Sequence, residues 1–285
     1  MSTLSLLDAH VHLWEPDRFE YEWLESFPRL NQPHNLDDYT EATGEVNVDE
    51  FVFVECTESF EDRVARKEVQ WVQSLADRDE RIRGIVAHAS LEKGTASREH
   101  LDWLAEQPLV TGVRRIVQDD PPEYLVDSDL VEGIRLLSDY GFSFDLTVTA
   151  GQLEHAIELV DRCPEVQFVL DHLGKPAIRE GRLDPWRTHL ERLAEREHVA
   201  CKLSGVLTEA ALEEWTTADV TPFIEHALEC FGPDRLLFGG DWPVLRLAAD
   251  YPTWVDLVET SIRSYSDIEQ QNILRETARR VYDLS

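Results

Sequence analysis

LSLLDAHVHL, residues 4–13, is the stretch from which the rest of the chain is read. It is an apolar run that ends in two histidines, His10 and His12. Side chains alternate along a β-strand, so residues i and i+2 share a face. Both imidazoles therefore point one way, placed by the strand itself and not by a loop. Such a pair can grip a metal ion or a polarised carbonyl oxygen from two directions. It also suits a satisfied core, so the weight falls on what meets it from elsewhere in the chain.

Residues 14–43 follow, an aromatic and acidic segment in which Trp14, Phe19, Tyr21, Trp23, Phe27 and Tyr39 alternate with prolines. It shows no clean helical period and reads as a long loop, of the kind that serves as a lid or pocket wall. Then a rhythm sets in. FVFVEC (51–56), GIVAHASL (84–91), VTGVRRIV (110–117), FSFDLTV (142–148), VQFVLDHLG (166–174), VACKLSG (199–205) and RLLFGGDWP (235–243) are strand-like. Helical patterns follow them: up to residue 75, then 99–106, 130–140, 152–162, 186–196, 209–215 with 222–230, and 252–263 with 267–282.

Counting the first run, eight strands alternate with helices. Strict βα alternation implies parallel strands, and eight repeats is the number that closes a (β/α)8 TIM-type barrel. No linker or break in composition divides residues 1–285, so a single α/β domain is expected. An open doubly wound sheet is the competing architecture, but no GxGxxG turn follows the first strand.

Barrels of this type carry their active sites at the C-terminal strand ends. Those ends hold His10 and His12, Glu55, His88, Arg114 and Arg115, Asp145, Asp171 and His172, Lys202 and Ser204, and Asp241. Arg114 and Arg115 must face opposite sides of their strand, so at most one serves the site. His34, His100, His155, His189, His198 and His226 fall in loops or helices and read as solvated.

Composition excludes several classes of function. With 27 basic and 57 acidic residues, the formal charge of −30 repels nucleic acid and anionic membranes. The only lysines are Lys67, Lys93, Lys175 and Lys202. A carboxylate-rich, lysine-poor face suits high salt, where the Debye length shrinks to about 3 Å at 1 M. A halophile's cytoplasm is the expected setting. The four cysteines form no CxxC pair, which fits a reducing compartment, and no apolar run approaches the ~20 residues of a membrane span.

HxH on the first strand, a histidine on the sixth and an aspartate on the eighth resemble the amidohydrolase superfamily. LDHLGKP (170–176), KLSG (202–205), FGGDWPV (238–244) and NILRETARRVYDL (272–284) resemble its amidohydrolase-related branch of sugar-lactone hydrolases. Fuconolactonases, rhamnonolactonases and the pyrone dicarboxylate lactonase belong to that branch. The resemblance implies a catalytic core of His10, His12, His172 and Asp241, with Arg114, Lys175, Trp242 and Trp14 near the substrate. The chain departs from the wider superfamily in having Asp145, not histidine, on the fifth strand and arginines on the fourth. That argues against a two-metal centre.

Lactone opening needs an activated water, a partner for the developing oxyanion and a proton for the departing alkoxide. Asp241 can take the water's proton, and imidazoles or an ion held by them can polarise the carbonyl. His10, His12, His172 and Asp241 make a ligand set for one divalent ion, Zn²⁺ or Mn²⁺, expected to be weakly held. No organic cofactor is expected. The expected partner is a small-molecule lactone, and an oligomer is compatible with the sequence. The competing functions are a metal-dependent decarboxylase on the same barrel and a non-enzymatic binding protein on a degenerate one.

Overall fold

The computed structural model describes residues 5–57 and 61–284, so Leu4 of the first run lies outside it. Eight parallel strands, each neighbouring the next in chain order, form a nearly closed (β/α)8 barrel. They are β1 (Leu6–Val11), β2 (Val48–Val54), β3 (Ile82–His88), β4 (Val110–Arg114), β5 (Ser143–Leu146), β6 (Phe168–Leu170), β7 (Val199–Leu203) and β8 (Leu236–Phe238). Outside them pack α1 (Leu36–Thr43), α2 (Asp62–Ala76), α3 (Arg98–Ala105), α4 (Ser128–Leu136) and α5 (Leu153–Arg162). The series continues with α6 (Trp186–Ala194), α7 (Thr217–Phe231), α8 (Tyr251–Ile262), α9 (Asp267–Gln271) and α10 (Thr277–Val281).

The strand patterns split the apolar residues between two cores. Outward-facing residues pack against the helices. Leu7, Ala9, Val52, Val54, Val86, Val169, Ala200 and Leu237 face inward and meet Ala278, Tyr282 and Leu284 from the C-terminal segment. That segment covers the N-terminal ends of the strands, where Arg275 and Arg279 both pair with Glu50. Among the described residues no helix is long and apolar enough to cross a membrane.

Three segments differ from the sequence expectation. Residues 14–43 contain a 3-10 turn (Glu22–Ser26) and α1, which starts at a capping box between Asn35 and Asp38. The cap supplies what the weak apolar period does not. Residues 209–215 form no α-helix, only the end of a 3-10 turn (Leu207–Glu209) and further turns. A seven-residue acidic stretch falls short of the length at which a helix holds itself. The closing pattern 267–282 is α9 and α10 joined by a π-turn at Asn272–Glu276.

The barrel seam lies where the histidines are. β1 pairs Asp8 with Phe51 and then Val11 with Phe53, so one extra residue bulges out of β1. Alternation counted from Leu7 and Ala9 would turn His10 toward the helices. The bulge re-phases the strand, and both His10 and His12 face inward. Past β8 the chain closes on β1 through Asp241 N–H to His10 O (2.8 Å) and His12 N–H to Trp242 O (2.8 Å). The Asp8 carboxylate clamps the seam from outside, accepting from Gly240 N–H at 2.7 Å, Tyr251 Oη at 2.8 Å and Tyr39 Oη at 2.9 Å. A Cβ on Gly240 would lie 2.4 Å from that carboxylate, so this approach requires glycine.

Candidate active site

Asp241 and His172 leave their strands in the left-handed backbone region, at φ of 52° and 53°. For non-glycine residues this conformation costs on the order of 1 kcal/mol or more and clusters at functional positions. It turns both side chains back over the barrel mouth. Gly205, at φ 60°, makes room for His172: a Cβ there would sit 2.4 Å from the ring.

His10 Nε2 and His12 Nε2 lie 3.1 Å apart. Asp241 Oδ1 is 3.7 Å from the first and 3.6 Å from the second. His12 Nδ1 donates to Val54 O at 2.8 Å. A carbonyl only accepts, so neutral His12 carries its proton on Nδ1 and has a lone pair on Nε2. His172 Nδ1 bonds Ser204 Oγ at 2.9 Å. Among the described residues, His10, His12 and Asp241 form one group able to hold a cation, and His10, Asp171 and His172 form a second. The four expected ligands, together with Asp171, therefore make up two trios that share His10.

Burial lowers His172 to about 4, against the opposing pull of the Asp241 and Asp171 carboxylates. Burial, with Lys202 nearby, holds His10 well below its ordinary value. Burial alone would raise Asp241, but the surrounding imidazoles outweigh it and hold the carboxyl well below the usual carboxylate range. At neutral pH the site thus presents uncharged His10 and His172 around an ionised carboxylate.

Beneath this lies a buried ionic layer. Lys202, wholly buried, bonds Asp145, approaches Asp171 Oδ1 at 3.1 Å and lies 3.0 Å from His10 Nδ1. Tyr282 Oη donates to Asp145 Oδ2 at 2.8 Å. Asp171 Oδ2 accepts from Thr147 at 2.6 Å and lies 3.6 Å from Arg114. Arg114 also bonds Glu55, at 2.9 Å through Nε. Asp145 thus serves Lys202 and not the cavity.

A cavity of about 160 Å³ opens above, lined by His12, His172 and Asp241 on its floor and by Arg114, Lys175, Gln118, Trp23 and Phe27 on its walls, among others. Lys175 Nζ bonds Gln118. Arg114 reaches the wall with much of its guanidinium already engaged by Glu55 and Asp171, which narrows what it offers a ligand. Arg115 faces away, toward Glu92 and Asp120. A wider groove of about 620 Å³, between α2 and the segment before α1, has no histidine in its lining.

Two expected substrate contacts are elsewhere. Trp14 is fully buried, donating to Leu30 O and Gln32 O and packing edge-on against Trp23. It follows the end of β1, where strand alternation no longer governs direction. Trp242 is buried against Tyr39 and His34. The aromatic segment does wall the cavity, but through Trp23 and Phe27. His34 and His100 are also buried, against Trp14 and His88 O respectively, and the other four loop and helix histidines are half-buried. His88 is buried away from the cavity lining. The sequence alone does not single out Gln118 or Asp8. Gln118, four residues past Arg114 on the same strand-to-loop exit, is the more accessible of the two.

A barrel with paired histidines on β1, a histidine after β6 and an aspartate after β8 defines a class of enzyme scaffold. The profile of the amidohydrolase family matches residues 7–284, and the chain belongs to that family. It is 30% identical to an L-fucono-1,5-lactonase of Burkholderia multivorans over 98% of this chain and 96% of that one. It is 25% identical to an L-rhamnono-gamma-lactonase of Scheffersomyces stipitis, covering 99% and 97%. A crystal structure of an amidohydrolase from Burkholderia multivorans with bound zinc superposes at a TM-score of 0.89, with 28% identity over 99% of this chain and 100% of that one.

The donor set here fits one such ion. Two imidazole nitrogens on a tetrahedral zinc at about 2.0–2.1 Å stand about 3.3 Å apart, close to the observed 3.1 Å. A carboxylate oxygen flanks both, and His12 is held in the ligating tautomer by Val54 O.

Proposed function

We propose that the protein is a hydrolase that opens the lactone ring of a sugar acid. The observation that carries this reading is the ionised Asp241 carboxylate on the floor of a small cavity, beside His12 and His172. The lactonase relatives support it.

In this reading Asp241 takes a proton from water as that water attacks the lactone carbonyl carbon. His172, oriented by Ser204, faces the developing oxyanion. Lys175 and Gln118 hold carboxylate or hydroxyl oxygens of the substrate, and Trp23 and Phe27 cover its apolar face. As the ring C–O bond breaks, the proton on Asp241 passes to the leaving alkoxide, giving the open hydroxy acid. His10 and His12 lie beneath Asp241, their Nε2 atoms 3.7 and 3.6 Å from its Oδ1. A divalent ion held by His10, His12 and Asp241 would add Lewis-acid polarisation of the carbonyl.

The test is acid release from a panel of 1,4- and 1,5-lactones of sugar acids. Asp241→Asn is expected to lower kcat by about 10²–10⁴ with KM nearly unchanged. His88→Asn, altering a residue away from the cavity, is expected to do far less. Equal losses in the two variants, or carbon dioxide release from carboxylated substrates without lactone opening, would overturn the assignment.

A further inference from the structure

Lys202 stands under the histidine pair with no path to the cavity, and the proposed chemistry does not use it. Its ammonium, the Nδ1 of His10 and Oδ1 of Asp171 form a nearly equilateral triangle, with sides of 3.0, 3.1 and 3.3 Å. The three atoms differ in kind. An ammonium only donates and a carboxylate only accepts, while a neutral imidazole nitrogen does either according to tautomer. Lys202 Nζ and His10 Nδ1 are the shortest side of this triangle, and Asp171 Oδ1 lies within reach of both, so the triangle alone admits either tautomer of His10.

A direction follows through the pair. If His10 Nδ1 accepts from Lys202, the neutral ring carries its proton on Nε2. That proton meets His12 Nε2 at 3.1 Å, the nitrogen left with a lone pair because His12 Nδ1 donates to Val54 O. The chain Lys202, His10, His12, Val54 O is then a run of bonds all pointing the same way, with a donor for every acceptor. A cation held by both Nε2 atoms needs the reverse at His10: a bare Nε2 and a proton on Nδ1, facing the Lys202 ammonium. Asp171 Oδ1, 3.3 Å from Nδ1, is the acceptor in place for that second arrangement.

We propose that Lys202 is a positioning residue that fixes His10 as the Nε2–H tautomer, so that a divalent cation must displace the Lys202–His10 hydrogen bond and turn the His10 proton to Asp171 in order to bind. The metal affinity of the site is thereby set from beneath, by a residue that is not a ligand. The pair Lys202 and Asp171 acts as a selector between two states of one imidazole, and ion binding is the input that switches it.

The inference rests on the trio His10, His12 and Asp241, and its readout is independent of lactone turnover, so it can fail while the proposed activity stands, and the reverse. The test is ¹⁵N NMR of histidine-labelled full-length protein after exhaustive chelation, with the His10 resonance assigned through a His10→Gln variant. The expected pattern is a protonated Nε2 and a bare Nδ1, inverting on titration with Zn²⁺. A protonated Nδ1 in the chelated wild type, or Zn²⁺ binding at His12 with no change at His10, would overturn the proposal.

Lys202→Met is expected to move the His10 proton to Nδ1 in the chelated protein and to raise Zn²⁺ affinity at least about tenfold by chelator competition, the worth of a charge-assisted hydrogen bond. Tighter binding with the tautomer unchanged would show a charge effect alone and refute the selector. Should that variant not fold, Lys202→Met with Asp145→Asn removes one of the two stranded carboxylates, and the wild-type spectrum decides independently.

Discussion

The barrel interior has two halves built on opposite principles. Toward the N-terminal ends of the strands it is a plug of Leu7, Ala9, Val52, Val86, Val169 and Leu237, sealed by Leu284 and the ring of Tyr282. One layer higher, Lys202, Asp145, Asp171, Arg114 and Glu55 fill the same bore with charge. The lower half is held by area removed from water and tolerates substitution in proportion to the volume lost. The upper half is held by matched charges, so removing one member strands the rest. Replacing such a buried ionic group whole by well-packed apolar residues is often neutral, whereas removing one partner is costly.

Single substitutions in the two halves should separate these principles. Lys202→Met leaves Asp145 and Asp171 buried with their cation gone, and is expected to destabilise the fold by about 3–5 kcal/mol. Urea unfolding measures this, and the double change with Asp145→Asn should recover part of the loss. Leu237→Ala in the lower half is expected to cost about 2–4 kcal/mol, the usual range for a truncated core side chain. A smaller loss for Lys202→Met than for Leu237→Ala would erase the contrast.

The response to acid sharpens it further. His172 has a folded value of about 4, below its unfolded 6.5, so the unfolded chain binds more protons between the two. Its contribution is therefore present above pH 6.5 and lost as pH falls toward 4. Asp8 and Asp145 are pushed up to about 6 by burial and act with the opposite sign: their contribution is present below 3.8 and lost as pH rises to 6. His172→Gln is expected to flatten the fall in stability between pH 6.5 and 4 by up to about 2–3 kcal/mol, and Asp8→Asn to steepen it. Chemical denaturation across pH 4–7 reads both slopes.

The smallest effect per group lies outside the bore. The formal charge of −30 predicts that added salt raises the melting midpoint by screening the exposed carboxylates, at roughly 2–4 °C for each kcal/mol of repulsion relieved. The ionic layer, shielded from solvent, should not respond. Thermal melts from dilute buffer to molar salt test this, and a flat or falling midpoint would remove the case for adaptation to high salt.

The same division explains what the sequence disclosed. Strand runs, helix periods and the polar residues at strand ends are local signals and suffice for the barrel, while the family resemblance is what singles out His10, His12, His172 and Asp241 among the strand ends. The bulge in β1 was not legible, because it appears only as a register shift against β2. Nor was the partnership of Lys202 with Asp145 and His10, 57 and 192 residues away, which depends on closure of the whole sheet. Trp14 and Trp242 were misread for a related reason. Both stand next to site residues in sequence, yet lie beyond the strand ends, where direction is set by the packing of His34, Tyr39 and Trp23 around them.

The seam has a consequence for how the protein is made. Asp8 is locked to Gly240, 232 residues downstream, and Asp145 to Tyr282, 137 residues downstream. On a ribosome adding about 5–20 residues per second, the strand bearing both histidines waits many seconds for the partners that turn it into a site. During that interval its paired edge is open and its charges are unmatched. The nascent chain therefore lacks an assembled site until the closing helix arrives.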